Sequence, residues 1–107
     1  MGPIHITNEN YQKEIAESTI PVVIDFWAEW CSPCQMLLPI VKQLAEENDD
    51  FKICKIDIEE LPEIANQYDI VSIPTLVVIK NNKIIDEIVG YQSKEILLMK
   101  IKKALNN

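Results

Sequence analysis

Two cysteines three positions apart, in the run Trp30-Cys31-Ser32-Pro33-Cys34, are the residues of this chain best suited to chemistry. The strongly apolar stretch Val22 to Ala28 precedes them and a segment patterned like a helix follows. At a helix start the unpaired backbone N–H groups favour a thiolate, and thiols at this spacing can close a disulfide within one turn. The chemistry expected is two-electron thiol–disulfide exchange.

The elements that would position the pair can be read from local patterns. Ile4 to Ile6 suggests a short edge strand, followed by a helix from about Asn8 to Glu17 with Thr7 or Asn8 as its cap. Val22 to Trp27 is too continuously apolar for a half-exposed strand and should be central, covered on both faces. A helix from about Cys34 to Asn48 carries Leu37, Leu38, Val41, Leu44 and Ala45 as its apolar stripe, with a bend at Pro39. Phe51 to Ile58 reads as a strand, and Leu61 to Tyr68 as a short helix that accepts Pro62 in its first turn. Beyond Pro74, strands Thr75 to Lys80 and Lys83 to Val89 should form a hairpin through Asn81-Asn82, a dipeptide tolerant of left-handed backbone. Ser93 caps a last helix to about Leu105. The order βαβαβαββα combines two crossovers, which favour parallel pairing, with a terminal antiparallel hairpin. It predicts an α/β fold of one domain over residues 1–107, with helices on both faces of a mixed sheet.

Composition narrows the function classes. Ten lysines and no arginine stand against seventeen acids, giving a net charge of −7 that argues against a nucleic-acid surface. No stretch approaches membrane-spanning length, and Met1-Gly2-Pro3-Ile4-His5 lacks the features of a secretion signal, so a cytoplasmic location is expected. Three cysteines, at 31, 34 and 54, are too few for a disulfide scaffold.

The order of elements together with six motifs resembles the thioredoxin family over essentially the whole length. Asp25-Phe26-Trp27-Ala28 resembles its buried-acid strand, and Trp30-Cys31-Ser32-Pro33-Cys34 its redox motif. Pro39 resembles the proline that kinks the motif helix, and Lys55 the lysine near the buried acid. Ile73-Pro74-Thr75 is similar to the cis-proline segment opposite the dithiol, and Gly90 to the glycine lining the substrate groove. Ser32 and Ser72 stand where the family usually or often has glycine, and Asn82 replaces its hairpin glycine.

The resemblance implies a three-layer sandwich around a mixed five-stranded sheet, and a general protein-disulfide reductase. Cys31 would be the nucleophile and Cys34 the resolving thiol, with Ser32 and Pro33 shaping the turn between them. Asp25, a carboxylate among Val23, Ile24 and Phe26, should have a raised pKa. By resemblance it lies beneath Cys34 and takes its proton, with Lys55 modulating its charge. Trp30, Pro33, Ile73, Val89 and Gly90 would form an apolar rim around the dithiol, and Pro74 would follow a cis bond. Partners implied are disulfide-containing proteins and a thioredoxin-reductase-like electron donor. The protein would be a monomer with no bound cofactor beyond the redox-active Cys31-Cys34 disulfide, no metal, and no nucleic-acid or membrane partner.

Ordinary readings stand beside these. A zinc pair lacks a second pair or a suitably spaced histidine to complete four ligands. Cys54, next to Ile53, reads as a small buried hydrophobe, and His5 as a surface residue. The rival functions are a disulfide oxidase or isomerase, and a non-catalytic binding module of the same fold.

Overall fold

The computed structural model describes residues 2–107. Five strands form one sheet: β1 (Ile4–His5), β2 (Val22–Trp27), β3 (Lys52–Asp57), β4 (Thr75–Lys80) and β5 (Lys83–Val89). Their order across the sheet is β1-β3-β2-β4-β5. β1, β3 and β2 run parallel, whereas β4 pairs antiparallel with both β2 and β5. The continuously apolar β2 lies at the centre, as its composition predicts, because only a strand covered on both faces can bury Val22, Val23, Ile24 and Phe26 together.

Helices cover both faces. On one, α1 (Ser32–Glu47) and α3 (Lys94–Leu105) set Leu37, Val41, Leu44, Leu97 and Ile101 against Val23, Ile53, Leu76 and Val78. On the other, a five-residue π-helix (Gln12–Ala16) and α2 (Pro62–Gln67) set Ile15, Ile64 and Ala65 against Val22, Ile24, Phe26 and Val77. Burial of these side chains stabilises each layer by roughly 1.5–3 kcal/mol per large residue. No helix among the described residues is long and apolar enough to cross a membrane.

Several local expectations are met for the reasons given. Asn81 and Asn82 both take positive φ, 54° and 63°, as a two-residue hairpin turn demands. Ser93 caps α3 through its hydroxyl, which accepts from the Ile96 N–H at 3.3 Å. Pro62 opens α2, where its missing N–H costs nothing.

The first helix is the main departure. The reading of Asn8 to Glu17 as one helix is corrected to the π-helical turn at Gln12–Ala16. Ahead of it Asn10 ties down the entry turn, its Oδ1 accepting from the Thr7 N–H at 2.8 Å while its Nδ2 donates to the His5 carbonyl at 2.9 Å. The Glu17 N–H closes the π-turn on the Gln12 carbonyl at 2.8 Å, one residue further back than an α-helix would. Thr7 caps the turn that leads into it, its hydroxyl accepting from the Glu9 N–H at 3.2 Å and its carbonyl from the Tyr11 N–H at 3.1 Å, whereas Tyr11, which directly precedes the π-helix, contributes no side-chain cap.

Candidate redox site

α1 begins at Ser32, two residues earlier than the periodicity indicated, so that Cys31 is its N-cap. Ser32 and Pro33 occupy the first turn, and Pro33 is tolerated there because no intrahelical acceptor is lost. Cys31 and Cys34 are joined by a disulfide with Cα atoms 5.2 Å apart. The Cys31 Sγ accepts from the Cys34 N–H at 3.3 Å, placing that sulfur at the positive end of the helix. Cys31 is 5% exposed and Cys34 1%, so the first sulfur is the more accessible.

The strand ends build the rest. Trp27, Ile58 and Ile73 pack against Ala28 and the two cysteines. Ile58 is anchored by its N–H to the Trp27 carbonyl at 3.0 Å. Ile73-Pro74 is a cis peptide, and the Ile73 carbonyl oxygen stands 3.8 Å from the Cys31 Sγ. The Thr75 hydroxyl fixes this loop by donating to the Ser72 carbonyl at 2.7 Å. Gly90, with φ of 89°, donates its N–H to the Pro74 carbonyl at 2.8 Å, and Val89 pairs with Thr75. A side chain at position 90 would be strained by that φ, although no atom lies where its Cβ would stand. Segments from 27–28, 58 and 73 thus pack on one sulfur pair, and Gly90 is tied to the last of them through Pro74.

Asp25 is fully buried in β2, with Lys55 and Leu76 as its cross-strand neighbours, on the face covered by α1. Neither carboxylate oxygen has a hydrogen-bond partner among the described residues. Burial pushes its pKa from 3.8 to about 7, against the opposing pull of the Lys55 charge. Lys55 forms no ion pair with it; the ammonium lies 4.4 Å from the centroid of the Trp27 ring.

Of the residues anticipated for the site, Ile73 packs on the cysteines, Gly90 is tied to Pro74, Trp30 and Pro33 are exposed beside the pair, and Asp25 and Lys55 face each other across β2 and β3. Ile58 was missed; its only signal is its place just beyond the end of β3. Among the described residues no group of three or more His, Cys, Asp or Glu side chains is disposed to hold a metal ion.

The family model described as "Thioredoxin" matches residues 2–103. The chain belongs to the thioredoxin family. It is 41% identical over 102 residues to the thioredoxin of Rickettsia prowazekii, covering 94% of this chain and 97% of that one. The thioredoxin of Chlorobaculum thiosulfatiphilum is 45% identical over 96 residues, 89% of each chain. Among solved structures, a mutant thioredoxin from Halobacterium salinarum NRC-1 superposes with a TM-score of 0.87 at 33% identity, covering 96% of this chain and 90% of that one. With its cysteine pair at bonding distance, this thioredoxin-family chain is a thiol–disulfide oxidoreductase, a protein-disulfide reductase that works by dithiol–disulfide exchange.

Proposed function

We propose a fixed division of labour within the pair, carried by one observation: Cys31 caps α1 and keeps a slight exposure while Cys34 sits inside its first turn, almost fully covered. The reduced protein attacks with the Cys31 thiolate, which the helix terminus stabilises. A mixed disulfide forms and one partner sulfur departs as thiolate. Cys34 gives its proton to Asp25 and attacks the Cys31 sulfur, expelling the second partner thiolate. The partner gains two electrons and leaves as two thiolates that take protons from water, and the Cys31–Cys34 bridge forms.

Asp25 suits the proton-accepting role because a pKa of about 7 leaves it able both to take and to return a proton near neutrality. Lys55 tunes that value from a neighbouring strand. Ser32 and Pro33 hold the turn, and Pro74 keeps a donor-free backbone beside the sulfurs. Trp30, Ile73, Val89 and Gly90 seat an extended partner segment, with the Ile73 backbone available for strand-like pairing.

The substrates on this reading are disulfide-containing proteins, and a thioredoxin-reductase-like enzyme returns the electrons. Residues 1–107 act as one domain and as a monomer in the cytoplasm, with no cofactor beyond the dithiol and no nucleic-acid or membrane partner. The net charge of −7 supports the exclusion of nucleic acid.

Substitution separates the two cysteines. Cys31→Ser should abolish reduction of a protein disulfide, whereas Cys34→Ser should accumulate partner proteins as mixed disulfides on a non-reducing gel. Trapping by Cys31→Ser instead would reverse the assignment.

A further inference from the structure

The rim of the dithiol reaches beyond the residues that line the bond itself. Trp30 is 66% exposed, Val71 96%, Val89 58% and Tyr91 43%. Trp30 adjoins Cys31, Val71 lies two residues before Ile73, and Val89 and Tyr91 flank Gly90, which is tied to Pro74. Single exposed apolar residues are commonplace, but four on the segments that surround one reactive sulfur mark a contact surface.

The segments that form this rim carry charge of one sign. Residues 28–36, 57–60, 69–73 and 89–92 include Glu29, Asp57, Glu59, Glu60 and Asp69 and none of the ten lysines. Glu29 is held at the first turn of α1, where its carbonyl accepts from the Gln35 side-chain amide at 3.1 Å. Asp57 and Glu59 bracket Ile58, which packs on the cysteines. Asp69 begins the loop that carries Val71 and Ile73. Glu60 is occupied by His5 at 3.0 Å, but the other four acids have no cationic partner among the described residues. Of the lysines that approach, Lys94 pairs with Glu47, while Lys55 on the Trp27 ring and Lys100 on Gln92 keep their charge but are outnumbered by the four unpaired acids.

Such a field acts twice in the same direction. It draws cationic partners to the site and turns anionic ones away, over a range of about 8–10 Å at moderate salt. Lysine or arginine beside the partner's cysteines also lowers the pKa of the departing thiol, which then leaves faster. We propose that this face selects disulfides set among apolar residues and flanked by lysine or arginine. The proposal rests on the reductase reading and names the substrate class of that same site. The dithiol is oxidised to its bridge, and the basic partner's disulfide is reduced to two thiols.

The test uses two synthetic peptides with the same intramolecular disulfide and apolar neighbours, one carrying two flanking lysines and the other two glutamates. Single-turnover reduction by the reduced protein is followed by tryptophan fluorescence, each rate being divided by that with dithiothreitol to remove intrinsic reactivity. In about 10 mM salt the lysine peptide should react about tenfold faster, within the span of electrostatic steering, and the ratio should fall below about twofold in 0.5 M salt. Glu29→Gln/Glu59→Gln/Asp69→Asn should lower the ratio to about threefold or less. An equal charge change at the far end, Glu17→Gln/Glu46→Gln/Asp49→Asn, should lower it distinctly less, because those charges reach the site only across the screening length of dilute salt, about 30 Å. Equal normalised rates at low salt, or an equal loss of preference in both triple variants, overturns the proposal. If neither peptide is reduced, the reductase reading itself fails.

Discussion

Replacing Asp25 by asparagine removes the charge of the one carboxylate this fold buries completely. Its pKa of about 7, against 3.8 in the unfolded chain, makes the native state bind more protons than the unfolded state throughout the interval between those values. Stability therefore falls as pH rises from about 4 to 7, being fully present below the unfolded pKa and lost through the folded one. At roughly 1.4 kcal/mol per pH unit the accumulated loss is on the order of 4 kcal/mol above pH 7. Asparagine is a neutral isostere of the protonated acid, so the cost of an unpartnered polar group is similar in both proteins and cancels in the comparison. Urea unfolding of the oxidised proteins, read by tryptophan fluorescence, should show the variant ahead by about 1 kcal/mol at pH 4.5 and by about 4 kcal/mol at pH 8. A difference that does not change with pH would refute the reasoning, because it would mean that the carboxylate ionises as readily in the fold as outside it.

The Cys31–Cys34 couple should equilibrate in a thiol–disulfide buffer near about −270 mV, the value typical of thioredoxins, whereas a potential above about −180 mV would indicate an oxidant or isomerase. Cys54 is fully buried, and burial pushes its thiol to about 12, so in the reduced native protein it should resist labelling at pH 8 and react only on unfolding, while Cys31 labels rapidly. Three thiols labelled at one rate would contradict that burial. Leu37→Ala, which removes a fully buried side chain beneath α1, should lower the unfolding free energy in urea by about 2–5 kcal/mol. A loss under about 1 kcal/mol would show that the layer between α1 and the sheet collapses around the gap.

Local sequence determined the elements whose signals are local. The unbroken apolar run of β2, the asparagine pair between β4 and β5, and the serine before α3 each specify backbone geometry through neighbouring residues alone. The redox pair was legible for the same reason: its spacing and its position ahead of a helical stripe lie within one short segment. The first helix was misread in extent and type because its backbone closes on the residue five back, Glu17 N–H on the Gln12 carbonyl, and hydropathy periodicity does not register that change.

What the chain order alone leaves open is which distant residues meet. Ile73 comes within 3.8 Å of Cys31 across 42 positions, and Lys55 settles on the Trp27 ring instead of closing an ion pair with Asp25. Parallel pairing of β2 with β3, and antiparallel pairing with β4, brings the Ile58 and Ile73 segments to the end of β2 where Cys31 follows. The residue types that do the chemistry are therefore determined by sequence. The surroundings that tune them, a buried carboxylate without a partner and an acidic apolar rim, come from packing, because burial and field depend on every chain segment that arrives at one place.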